Sequence, residues 1–185
     1  IPNACNRCHQ DKDADWSLKY VEQWYGEKMN RPTRTRAQII ARARNGDDSA
    51  RDGLLKILQT DPQGYWRAVA AKLLAHWVGE TPVSDALVNQ LADTNALVRQ
   101  SIVQILATLG DTASPEIHAA LNKSLDDASR NVCIVAALAL APELDLQSPA
   151  GRDLLQMLAQ NADQPAGQTP LGGLYFTRGE VTNAL

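Results

Sequence analysis

Apolar residues recur through the middle of this chain at the spacing of a helix face. Val98, Ile102, Ile105, Leu106 and Leu109 form one stripe near a period of about 3.6 residues, with polar positions between them. Segments of this kind repeat. Asp61, Asp93 and Asp127 each open a predicted helix, at separations of 32 and 34 residues. Aligned on those aspartates, Trp66 superposes on Val98 and Val132, and Ala70 on Ile102 and Ala136. Leu73 then meets Ile105 and Ala139, and Leu74 meets Leu106 and Leu140. A second series interleaves with the first. A hydroxyl residue followed by proline stands at Thr81-Pro82, Ser114-Pro115 and Ser148-Pro149, at separations of 33 and 34 residues, each reading as an N-cap with proline at the first helical position. A further step of 33 back from Thr81 reaches Asp48, placed to cap a helix from Ser49 to Leu58. Two interleaved series of one period predict stacked helical hairpins.

The flanks extend the pattern. Thr33 to Arg44 reads as a further helix with Ala37, Ile40, Ala41 and Arg44 on successive turns, half a repeat that closes the N-terminal side and ends at Gly46. A fourth copy begins with a helix from Pro149 to about Gln160, but Pro165, Gly167, Pro170, Gly172 and Gly173 follow it, which is loop chemistry. Leu174-Tyr175-Phe176 is placed to fold back over the last apolar face as a cap. The run Asp93-Thr94-Asn95-Ala96-Leu97-Val98-Arg99 resembles the opening of the second helix of HEAT repeats, and Asp61 to Arg67 repeats it with Trp66 at the valine position. In the third copy Cys133 replaces the arginine, which puts the Asp-to-Arg bracing implied by the resemblance in doubt there and predicts an irregular local stack. The expected fold is all-α: a right-handed α-solenoid of HEAT-like helical hairpins preceded by a short CxxCH segment. Its divisions are 1–32 for that segment, 33–162 for the repeat array and 163–185 for an irregular tail or C-terminal cap.

Composition narrows the function classes. At 185 residues and 44% apolar content the chain can bury a sizeable core. A formal charge of -3 and an isoelectric point near 5.6 give no global signal for nucleic acid. No apolar run approaches the roughly 20 residues that cross a bilayer, so no transmembrane segment is expected, and no export signal stands at the start. The one basic run, Lys28, Arg31, Arg34, Arg36, Arg42 and Arg44, contains no acid. It fits either a solvated helix face or a surface for an acidic redox partner or haem propionates. Cys133, inside an apolar run, reads as a small buried hydrophobe. No serine, histidine and acid constellation, phosphate loop or paired-carboxylate motif stands out, so a carrier or scaffold is expected rather than an enzyme.

The chemistry lies at the start. Cys5-Asn6-Arg7-Cys8-His9 matches CxxCH, the attachment signature for c-type haem. Two thiols three residues apart share one side of a helical turn, where each can form a thioether to a vinyl group, and His9 follows as proximal iron ligand. A zinc half-site would need two further ligands, and beyond His9 only Cys133, His76 and His118 remain, with no local pair among them. A CxxC redox site would expect a strand and helix setting that the pattern lacks. Trp16, Tyr20, Val21 and Trp24 share one face of a following helix, placed either to wall a haem face or to clamp that helix on the first repeat.

The block from Ile1 to Lys12, with Trp16 and Val21 to Gly26, resembles the last haem-binding segment of bacterial multihaem c-type cytochromes that carry helical repeats after their haem region. The resemblance implies one haem c on this chain, bound covalently by Cys5 and Cys8 with His9 on the iron. Partner haems would lie upstream or on a redox protein partner, and the location would be periplasmic or otherwise exported. The chain begins four residues before Cys5, so upstream sequence is expected to be missing. The distal ligand is open, with His76, His118 and Met29 as weak candidates and Met157 as another thioether. The expected function is electron transfer through this haem with the repeats as docking arm. The alternatives are a HEAT interaction module without haem and one domain of a multihaem reductase.

Overall fold

The structure, a computed structural model, describes residues 4–160, 162–180 and 182, with the backbone alone for 165–167. Its α-helices are α1 (Ala14–Tyr25), α2 (Pro32–Arg44), α3 (Arg51–Thr60), α4 (Gly64–Leu73), α5 (Thr81–Asn89), α6 (Ala96–Leu106), α7 (Pro115–Lys123), α8 (Arg130–Ala139), α9 (Pro149–Ala159) and α10 (Pro165–Thr177), and no strand occurs among the described residues. The molecule is an α-solenoid of HEAT-like hairpins. The second helices of successive hairpins, α4, α6 and α8, stack directly on one another, and α3, α5, α7 and α9 pack beside them on α4, α6, α8 and α8 respectively, with α5 also against α7. Leu54 and Leu58 of α3, Leu74 after α4, Leu87 of α5, and Ile102 and Leu106 of α6 are wholly buried in one continuous core between these helices.

Aspartate and arginine side chains set the register of the stack. Asp93 closes a turn by accepting the Asn95 backbone N–H at 2.7 Å and receives both arms of Arg67 from the preceding hairpin at 2.7 and 2.8 Å. The third Arg67 nitrogen donates to its own hairpin's Asp61 carbonyl at 2.7 Å. One repeat later Arg99 does the same with Asp127 and the Asp93 carbonyl. Arg36 extends the relay upstream, donating to Asp61 at 2.8 Å with its guanidinium 4.3 Å over the Trp66 ring. The Arg99 guanidinium hydrogen-bonded to Asp127 holds that carboxyl below the ordinary carboxylate value despite partial burial. At Cys133 the relay stops. Its thiol donates to the Asp127 carbonyl at 2.9 Å, as the arginines do within their own hairpins, but it is too short to reach the next one. Cys133 is half-buried rather than wholly buried, and desolvation, followed by the nearby Asp127 charge, pushes its pKa up. The next junction uses Arg130 and Asp153 instead, at 2.8 to 2.9 Å and more exposed.

Arg36 also identifies α2. Aligned on the arginines, Thr35, Gln38 and Arg42 stand where α4 has Trp66, Val69 and Leu73 and α6 has Val98, Ser101 and Ile105. All three are exposed, whereas those counterparts are half-buried or buried. So α2 is a second helix in register, with a polar outer face that ends the stack in water.

Three local expectations are corrected. Asp47, not Asp48, accepts the Ser49 N–H, a tight turn precedes α3, and the Asp48 carboxylate takes the Trp77 indole N–H at 2.9 Å instead. Thr81 is the first residue of α5 rather than its cap, while Ser114 and Ser148 do cap α7 and α9. The stretch with loop chemistry is the helix α10, with Pro170 inside it. Tertiary burial overrides the local preference: Leu174 is buried in a second core with Ile134, Leu154 and Leu158, against which Leu171 packs. Arg178 ties its end to the Ala141 and Leu144 carbonyls at 2.9 and 2.7 Å.

Arg99→Ala is expected to cost about 2 kcal/mol in urea unfolding, because it leaves the half-buried Asp127 carboxylate without its charged donor. Arg130→Ala, which breaks an exposed pair, should change little. The Asp127 pKa is lowered in the folded state, so its contribution is complete above the unfolded value of about 3.9 and is lost as pH falls through the lower folded value. The gap between wild type and Arg99→Ala should therefore persist at neutral pH and close below about pH 4.

Gly151 is a separate test of packing. A Cβ there would lie 2.3 Å from the Asp145 carbonyl oxygen and 2.5 Å from Leu146 Cα, both rigid backbone. Gly151→Ala should destabilise by about 1–3 kcal/mol, read as earlier melting of the C-terminal hairpin in hydrogen exchange.

Candidate functional site

Cys5–Arg7 form a single 3₁₀ turn, in which the Cys8 and His9 backbone N–H groups donate to the Cys5 carbonyl at 3.2 and 2.9 Å. The chain then runs to Asp13, whose side chain caps α1 by accepting the Trp16 N–H at 2.8 Å. This brings the His9 imidazole against Trp16, with ring centroids 4.8 Å apart. Trp16, Tyr20 and Trp24, four residues apart on α1, continue the row at 4.9 and 5.9 Å. The turn and this row enclose an open groove of about 310 Å³ lined by Ala4, Cys5, Cys8, His9, Trp16, Ser17, Tyr20 and Trp24.

Cys5 is half-buried, Cys8 and His9 are exposed, and both thiols are free. Two reachable thiols and an imidazole on one turn, facing an apolar wall of aromatic rings, suit a flat apolar macrocycle held through sulfur, with nitrogen on its metal. Among the described residues no group of three or more His, Cys, Asp or Glu is arranged to hold a metal ion. Two sulfurs and one imidazole nitrogen are the donor set that a covalently held haem uses. Trp16, Tyr20 and Trp24 line this groove, Trp24 at its exposed edge, while Val21 of the same face is half-buried and does not line it.

The weak distal candidates lie elsewhere. His76 is exposed in the turn after α4, edge-on to Trp77 at 4.9 Å. His118 on α7 has one ring nitrogen on Glu143 and the other 3.1 Å from the Asn122 amide. Met29 is half-buried in the turn before α2, and Met157 packs in the C-terminal core. None of the four lines the groove. The basic run does not line it either: Arg34 pairs with Glu22, Arg36 with Asp61, and Arg31 donates to the Lys28 carbonyl.

Asn6 was not among the expected site residues. Its side-chain amide donates to the Lys12 carbonyl and lies 3.4 Å from those of His9 and Asp13. The CxxCH pattern leaves that position free, so only the geometry reveals it.

Among known proteins, no curated protein and no solved structure matches the chain. Residues 51–141, from the start of α3 to just past α8, match the family described as HEAT repeats. That portion of the chain is a HEAT-type array, and such an array supports a protein-interaction scaffold.

Proposed function

We propose that the chain is a HEAT scaffold for docking a protein partner, and that it carries one covalently attached haem c at its N-terminal end for electron transfer. The docking half rests on the matched repeats. The haem half is carried by one observation: Cys5, Cys8 and His9 all line the same aromatic groove. In this reading the Cys5 and Cys8 sulfurs hold the group through thioethers and His9 supplies a nitrogen to its iron. Trp16 and Tyr20 cover one side of the groove and keep water from it, and Trp24 sits at the exposed edge. When bound, the group supplies one-electron chemistry at iron. A redox protein or an upstream haem domain is the partner, and attachment places the protein in an exported compartment. The second reading is the interaction module without haem. It is favoured by the match, which covers the repeats and stops short of the CxxCH turn.

The two readings part in one preparation, the chain exported together with the c-type maturation machinery. Intact mass should rise by one haem, with a Soret band, and Cys5→Ala with Cys8→Ala should abolish both. No second histidine or methionine among the described residues lines the groove, so the reduced protein should bind carbon monoxide with a spectral shift. A colourless protein of apo mass would leave the docking scaffold as the function.

A further inference from the structure

We propose that Asn6 is the positioning residue of the attachment turn, holding Cys5, Cys8 and His9 around the groove before haem arrives. This rests on the haem reading of that turn. One 3₁₀ turn without a side-chain cap has little stability of its own, since nucleating helical structure fixes several dihedrals for one hydrogen bond. The Asn6 carboxamide supplies what the turn lacks. Nδ2 donates to the Lys12 carbonyl at 2.5 Å and lies 3.4 Å from the His9 and Asp13 carbonyl oxygens. On the other side, Oδ1 accepts from the Ser17 hydroxyl at 3.5 Å.

Each of those partners has a place in the site. The His9 carbonyl belongs to the ligand residue itself. Lys12 and Asp13 form the approach to α1, whose cap is the Asp13 side chain. Ser17 is the one residue of α1 that is buried, at 6% exposure, and it lines the groove between Trp16 and Tyr20. A single side chain therefore ties the cysteine turn to the first turn of the helix that carries the aromatic wall. The Asn6 tie acts beside the Asp13 cap, and the His9 and Trp16 rings lie in contact between the two. Asp at this position would have nearly the same shape, yet its carboxylate has no proton to give and would face three carbonyl oxygens.

Asn6→Asp in the full chain tests this in two arms. In the reduced apo protein, wild type should show an NMR contact between the His9 and Trp16 rings, and Asn6→Asp should lose it while thermal unfolding of the repeat array stays unchanged. Under export with the maturation machinery, the fraction of chains carrying covalent haem should fall at least about fivefold, the effect of losing even one of these hydrogen bonds at about 1 kcal/mol. Asn6→Asp that keeps the ring contact and takes up haem like wild type overturns the proposal. So does a variant whose array melts early, because Asn6 would then be a general structural residue. A wild-type chain that stays at apo mass overturns the haem reading instead, and the ring contact alone then decides whether Asn6 holds the turn.

Discussion

The aspartate ahead of each second helix is the joint on which the array turns. It accepts a backbone N–H two residues on, which fixes the bend of its own chain, and it receives the planar guanidinium of the hairpin before it. A two-armed bond between planar groups fixes orientation as well as distance, so each rung sets how one hairpin is rotated on the next. Apolar burial alone would hold the helices together and leave that angle soft. Arg36 reaches Asp61 with one arm only, and its guanidinium lies over the Trp66 ring, so a single-bonded form of the joint extends to α2, whose polar outer face ends the stack.

Where the arginine is missing, other forces take over. Cys133 keeps only the bond within its own hairpin, and α8 becomes a two-sided helix. Val132, Ala136 and Leu140 belong to the long core, while Ile134 and Ala137 belong to the smaller one with α9 and α10. That second core is closed by Arg178 on two backbone carbonyls and by the close approach of Gly151 to the preceding turn. The C-terminal end is thus joined by packing and backbone contacts, which fits the change of sequence pattern there.

The parts that could be read from the sequence are those that repeat. Asp61, Asp93 and Asp127 with Arg67 and Arg99 announce both the period and the joint, and the apolar stripe announces the core. Single events are harder. Asp47 caps the tight turn before α3, while its neighbour Asp48 accepts the indole N–H of Trp77, which lies 29 residues further along the chain. The helix α10 runs through Pro170 because Leu174 finds a buried site, and no local rule contains that burial. At the N-terminus, CxxCH and the four-residue spacing of Trp16, Tyr20 and Trp24 are legible, but the spacing alone leaves open whether those rings wall a groove or clamp the helix. Asn6 stayed hidden because its bonds depend on how the turn folds back toward α1.

The site is local where the array is cooperative. Every residue lining the groove falls between Ala4 and Trp24, and Glu22 with Arg34 is an ion pair that connects this segment to α2. The groove therefore takes its shape from one turn and one helix, without help from the repeat core. This separates the two halves of the proposed function physically. In that proposal the repeats set where a partner docks, through joints that span neighbouring hairpins. The N-terminal segment would supply the chemistry, through bonds that close within about two dozen residues. A change in the Asp–Arg relay would then act on docking geometry while leaving the thiols and imidazole in place, and a change at the turn would act on the chemistry while leaving the scaffold intact.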